Sequence, residues 1–231
     1  MGERTSYELQ DGVATIAMDD GKVNVLSNEM LAEVNGALDR AVADRAVVIL
    51  TGRPGIFSAG FNLPVLQAGG PDARAMLNSG FELAERLLSF PTPVVIACPG
   101  HAIAMAAFLL LSGDYRIGTA GPYRIVANEV AIGLTMPKTA IELCRQRLTP
   151  AHFVRAVTLS EVYSPDGAIA AGFLDQVAPP DGLDEAAHEV ASRLATLVPE
   201  AYTVTKRRAM HDTLAAVHAA LEADAQEFAT P

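Results

Sequence analysis

The chain has 231 residues, half of them hydrophobic, and its mean hydropathy is +0.24. That is enough for one large domain, or a domain with a small appendage, and leaves apolar surface over for subunit contacts. A net charge of −10 argues against a nucleic-acid binder or a binder of anionic membranes.

The apolar runs Val47–Leu50 and Phe108–Leu111 are far too short to span a bilayer, and Met1–Thr5 carries no basic patch leading into an apolar stretch. Cys98 and Cys144 form neither a disulfide framework nor a metal-like pair, so both read as reduced, buried residues of a cytoplasmic protein. An anionic ligand would need local cations, for which Lys22, Arg53, Arg124, Lys138 and the Lys206-Arg207-Arg208 cluster are candidates. Each also reads as a solvated surface charge.

In chain order, residues 5–10 and 12–19 predict a hairpin turning at Asp11-Gly12. Ser27 can cap a helix with Leu31, Val34, Leu38, Ala41 and Val42 at helical spacing. A buried strand at Val47–Leu50 leads into a loop through Gly52, Pro54, Gly55 and Gly60, then a helix over about 72–89. Val94–Ala97 is the next strand, followed by a glycine-bearing turn and a very apolar helix from Ile103 to Leu111. Strands alternating with helices over short crossovers point to an α/β fold. After Pro137 the pattern turns helical, with Thr149-Pro150 and Ser164-Pro165 as helix starts and long helices over 183–198 and 200–228.

Three segments can carry chemistry. Ser58-Ala59-Gly60, directly after a strand, permits a tight turn that leaves backbone amides unpaired, and a helix starting near Asn62 adds its dipole. Pro99-Gly100-His101-Ala102-Ile103-Ala104-Met105 brings a second set of free amides to a helix start. Two such sites converging on one oxygen make an oxyanion hole. The plainer readings are an ordinary strand-to-helix loop and a close-packed helix.

The third segment is Asn128-Glu129-Val130-Ala131-Ile132-Gly133-Leu134, a glutamate set among aliphatic residues. Such a carboxyl is hard to ionise, and its proton affinity rises toward the range where it can take and return a proton. A surface glutamate on a strand edge is the plainer reading. His101, His152, His188, His211 and His218 are scattered with no ligand geometry, so no metal is expected.

Asn24-Val25-Leu26-Ser27, Phe57–Leu63, Gly113-Asp114-Tyr115-Arg116-Ile117 and Ala168–Val177 occur in an order that resembles the crotonase superfamily of enoyl-CoA hydratases and isomerases. The resemblance covers nearly the whole chain. It implies a crotonase-like ββα spiral core over residues 1–182 and a C-terminal helical region, 183–231, that assembles trimers or dimers of trimers. It places the oxyanion-hole amides on Phe61 and Met105. It lines the CoA channel with Val23, Val25, Leu26, Ser58, Ala59, Gly60, Asn62 and Leu63, and makes CoA part of the substrate rather than a cofactor.

Two departures stand out: Asn62 where the family usually has aspartate, and Ala104-Met105-Ala106 where it usually has glycines. Family hydratases use two glutamates. The first corresponds to Phe108, which cannot move a proton, and the second to Glu129. Asn128-Glu129 is similar to the Asn-Glu pair of mitochondrial-type Δ3,Δ2-enoyl-CoA isomerases.

Hydration needs a water held by two proton-handling groups, whereas shifting a double bond from C3 to C2 needs a single base. The first reading is therefore an isomerase with Glu129 as proton shuttle. The alternative is an enoyl-CoA hydratase in fatty-acid metabolism with Glu82 or Glu85 as second carboxylate, and a reading of another class is a non-catalytic acyl-CoA binder. Met76, Met105 and Met136 are candidates for an acyl pocket or for core filling. Asp114 and Arg116 are expected to serve structure.

Overall fold

The computed structural model describes residues 4–229. Strands β1 (Thr5–Gln10) and β2 (Val13–Met18) pair antiparallel. Asp11 and Gly12 both take positive φ, 48° and 78°, as a two-residue hairpin turn requires. Ser27 caps α1 (Asn28–Asp44) by accepting the Met30 N–H, and Leu31, Val34, Leu38 and Ala41 face the core. Val42, expected on that stripe, lies at its edge in the last turn and is exposed.

Three strand pairs then follow: β3 (Val47–Thr51) with β4 (Gly55–Ser58), β5 (Val94–Cys98) with β6 (Gly100–Ile103), and β7 (Tyr115–Thr119) with β8 (Ile125–Val126). The first member of each pair joins a six-stranded sheet of order β1-β2-β3-β5-β7-β9, and the second joins a three-stranded sheet of order β4-β6-β8. Helices α2 (Leu63–Ala68) and α3 (Gly70–Leu88), α4 (Met105–Ser112), and α5 (Lys138–Arg145) complete the three turns of a ββα spiral. Beyond them lie α6 (Pro150–Leu159), α7 (Pro165–Ala171), β9 (Gln176–Ala178), α8 (Leu183–Leu194), α9 (Pro199–Ala209) and α10 (His211–Ala229).

The structure corrects several sequence expectations. Gly100 is no turn residue but opens β6. A Cβ there would sit 2.0 Å from the Gly55 carbonyl, so only glycine lets β4 and β6 approach. Strands β4, β6, β8 and β9 and helix α2 are too short to leave a periodic pattern. Residues 200–228 are two helices, broken at Met210.

Residues 47–50 read as one apolar run because both sheet faces are covered. Val48, Leu50, Val94 and Ile96 face the main core shared with α1, α3 and α4, while Val47, Ile49, Val95 and Ala97 face α8 through Leu183, Ala187, Val190 and Ala191. α4 is buried on every side.

Asp114 and Arg116 serve structure, as expected. Asp114 Oδ2 accepts from the Val94 N–H at 2.8 Å, the Tyr202 hydroxyl at 2.8 Å and Lys206 Nζ at 2.7 Å, tying α9 to the β5–β7 edge. Lys206, one of the candidate cations for an anionic ligand, is therefore buried and committed. Arg116 grips Asp175 with both Nε and Nη2 and donates Nη1 to the Gly172 carbonyl.

Candidate active site

The segment Val23–Ser27 runs beside Ala59–Phe61. Leu26 N–H donates to the Gly60 carbonyl at 2.8 Å and Ala59 N–H to the Val23 carbonyl at 3.0 Å. Asn24 holds this crossing from behind. It is fully buried at φ 51°, and its Nδ2 donates to the Met18 and Phe57 carbonyls. Asparagine tolerates that left-handed conformation because its side chain bonds locally. Leu26 and Ser58 are also fully buried, with Ser58 Oγ accepting the Gly60 N–H, while Val23 is exposed.

Gly60 takes φ 84°, and a Cβ there would stand 2.8 Å from the Ile103 carbonyl oxygen and 3.4 Å from the Met105 nitrogen. The loop before α2 thus meets the start of α4 at contact distance. Met105 opens α4, so its N–H has no intrahelical acceptor. Among the described residues neither the Phe61 nor the Met105 N–H finds a backbone acceptor in a turn, loop or cap.

Ala104 just before it sits at φ 53°, ψ −122°, a region costing a non-glycine residue about 1–3 kcal/mol. Its N–H donates to the Val126 carbonyl at 2.8 Å, which pins the strained residue to β8. Alanine stands here where the resemblance expects glycine, in a backbone conformation that glycine adopts more readily.

A cavity of about 690 Å³ opens at this junction, lined by Ala59, Phe61, Leu63, Ile103, Ala104, Phe108, Asn128, Glu129 and Met136 among others. Of the residues expected at the site, Ala59, Phe61, Leu63, Phe108, Glu129 and Met136 therefore share one wall system, and Asn62 flanks it as the N-cap of α2 without a capping side-chain bond. The Met105 side chain is buried in the core, as is that of Met76. Sequence reasoning missed Leu66, Leu77, Phe81, Ile141 and Phe228. Phe81 stacks on Phe108 at 6.4 Å and meets Phe61 edge-on at 6.0 Å, so phenylalanines form a row along the cavity. The helical phases of Phe81 and Ile141 show only which face is apolar, which core packing explains equally well.

Glu129 is 7 % exposed and begins the 3₁₀ turn Val130–Ile132, its carbonyl accepting the Ile132 and Leu134 N–H groups. Burial pushes its carboxyl up to about 7. The same burial, with the Glu129 charge nearby, pushes the Cys144 thiol up, and burial raises Cys98 to about 12, so both thiols are inert at neutral pH.

Among the described residues three carboxylates line the cavity. Asp224 caps α5, accepting the Lys138 and Thr139 N–H groups and the Thr139 hydroxyl, and Glu227 pairs with Lys138. Only Glu129 keeps a buried oxygen, Oε2, without a partner, and the neighbouring Asn128 Oδ1 is likewise unpartnered.

Other polar residues are occupied elsewhere. Glu85 pairs with His218 at 3.0 Å and Glu82 is exposed, so neither brings a second acid to the cavity. His218 also lies 3.6 Å from Glu222. His101 accepts the Arg124 N–H and packs edge-on against Tyr123, outside the cavity lining. Arg53 donates to the Lys22 carbonyl and lies 3.6 Å from Asp19. Among the described residues no group of three or more His, Cys, Asp or Glu side chains could hold a metal ion, and no helix is long and apolar enough to cross a membrane.

Comparison with known proteins agrees with this fold. A mitochondrial enoyl-CoA delta isomerase 1 of Mus musculus is 31 % identical over 225 residues, which are 94 % of this chain and 77 % of that protein. A solved enoyl-CoA hydratase/isomerase family protein from Pseudomonas syringae is 47 % identical, with a TM-score of 0.95 over 97 % of this chain and 98 % of that one. A Mycobacterium tuberculosis protein, described in one solved structure as an enoyl-CoA isomerase and in another as a probable enoyl-CoA hydratase, is 44 % identical, with TM-scores of 0.94 and 0.95 over 98 % of this chain and 100 % and 97 % of those chains. The family model described as enoyl-CoA hydratase/isomerase matches residues 8–231, and the chain belongs to that family of enzymes.

Proposed function

We propose that the protein converts 3-enoyl-CoA to 2-enoyl-CoA, with Glu129 carrying the proton. One observation carries this reading: among the described residues the cavity wall holds a single uncommitted carboxylate, and by the family resemblance the lining residue Phe108 stands where a second acid would serve. The deprotonated Glu129 removes a proton from C2. The electron pair moves toward the thioester, and the C3–C4 double bond becomes part of a dienolate. The Phe61 and Met105 amides stabilise the oxygen's negative charge, each worth about 3 kcal/mol where such donors have been removed from other enzymes. Protonated Glu129 then returns the proton to C4, leaving the C2–C3 double bond.

The surroundings supply what that cycle needs. A carboxyl raised to about 7 is balanced between taking and giving a proton near neutrality. The phenylalanine row keeps the region apolar, and a hydratase would need the second acid that Glu82 and Glu85 do not bring. CoA enters as part of the substrate, through a channel bordered by Val23, Val25, Ala59, Gly60 and Leu63, and no further cofactor takes part.

We place the enzyme in the cytoplasm as a trimer or dimer of trimers. Exposed Val198 and Val204 offer apolar surface for self-association in the C-terminal helices. The decisive assay follows conjugated-thioester absorbance. Signal should grow with a 3-enoyl-CoA and stay unchanged with a 2-enoyl-CoA; loss of signal with the latter would replace this reading by hydration.

A further inference from the structure

With the thioester oxygen at Phe61 and Met105 and Glu129 facing C2 to C4, the rest of the acyl chain must continue into the cavity beyond Glu129. Apolar side chains available to line that part include Leu66, Leu77, Ile141 and Phe228 of the same cavity wall. Leu77 and Ile141 sit on α3 and α5, which bury several residues each, Leu66 sits on the short α2, which buries none, and Phe228 sits on the last described turn of α10. The helix is fixed by Asp224, which is buried and bonds twice to backbone N–H groups at the start of α5. Past Asp224, Glu227 forms an ion pair with Lys138 of α5, and their side chains are 61 % and 50 % exposed. A pair that open to water contributes little. Phe228 therefore lies past the buried anchor of α10, on a turn whose pair with α5 is open to water.

We propose that Phe228 forms the end wall of the acyl pocket and sets the longest unbranched, apolar acyl tail the enzyme accepts. This deepens the reading above, since it names which acyl-CoA thioesters fit, and it rests on that reading for the identity of the ligand. Tails short enough to stop before the phenyl ring bind without disturbing α10. Longer ones must displace the ring and the last turn.

The test uses unreactive saturated thioesters, so that binding is read apart from catalysis. Affinities of hexanoyl-, decanoyl- and hexadecanoyl-CoA are measured by calorimetry for the wild type, Phe228→Ala and Phe228→Trp. Removing the ring should improve hexadecanoyl-CoA relative to hexanoyl-CoA by about tenfold, the equivalent of housing roughly two further methylenes. Phe228→Trp should shift the ratio the other way, with hexanoyl-CoA affinity held within about twofold in both variants. An unchanged ratio, or the same loss for all three thioesters, overturns the role of Phe228. If the wild type binds none of the three, the acyl-CoA reading itself fails, and this inference falls with it.

Discussion

Glu129 shows how one side chain can be chemically useful and structurally costly together. Its raised proton affinity means that the folded chain holds a proton between about pH 4.5 and 7 that the unfolded chain has released. The sign follows from that: Glu129 leaves stability untouched below about pH 4.5, then subtracts from it as pH rises through this window. The full loss, reached above pH 7, is about 3 kcal/mol at 1.36 kcal/mol per unit. Chemical denaturation at pH 4.5 and pH 8 should therefore show Glu129→Gln gaining on the wild type by up to that amount; a constant difference between them would contradict the burial argument. In the free enzyme kcat/KM should rise with pH along a limb centred near 7, where the base form appears.

The sequence marked this residue because a glutamate among aliphatic residues is chemically conspicuous. Phe228 and Leu77 left no such mark, since an apolar side chain looks the same whether it faces a core or a ligand. Asn24 was legible as part of a motif, but only the structure reveals that its amide ties Met18 to Phe57.

At the level of elements, long periodic segments were readable and short ones were not. The hairpin at Asp11-Gly12 and helix α1 behind Ser27 follow local rules of turn and cap chemistry. Strands β4, β6 and β8 have four, four and two residues and exist because they pair with one another. No local pattern announces such strands; the glycine at position 100 is intelligible only once Gly55 is seen beside it.

The start of α5 is another case. Pro137 stands at its N-cap and offers no side-chain acceptor, so the exposed N–H groups are satisfied from 85 residues away by Asp224. Replacing Asp224 with alanine should cost about 1–2 kcal/mol of stability in thermal or chemical unfolding, the usual worth of a helix cap. It should also loosen α10 over the cavity and weaken acyl-CoA binding. A neutral substitution would contradict the cross-chain cap.

Across the whole molecule, the site depends on helices distant in sequence folding back over the spiral. α8 closes one face of the large sheet, and α10 lies over α3 and α5 to finish the cavity. The link between them, α9, is anchored where Asp114 gathers Val94, Tyr202 and Lys206. Asp114→Ala would strand Lys206, which is 9 % exposed, without its counter-charge. Breaking a buried pair from one side typically costs about 3–5 kcal/mol. Urea unfolding should register that loss, and a change below about 1 kcal/mol would make the anchor dispensable. Charge pointed to an acidic protein, the alternation of strands and helices to an α/β fold, and the family resemblance supplied the spiral. The return of α10 was not legible, because its partners lie more than 80 residues upstream.

The most direct test compares wild type with Glu129→Gln on a 3-enoyl-CoA, following conjugated-thioester absorbance, with acyl-CoA affinity measured in parallel. The expected result is loss of turnover by at least about a thousandfold with affinity unchanged, since only the proton carrier is removed. Near-normal turnover in the glutamine variant would contradict the assignment of Glu129 as the base.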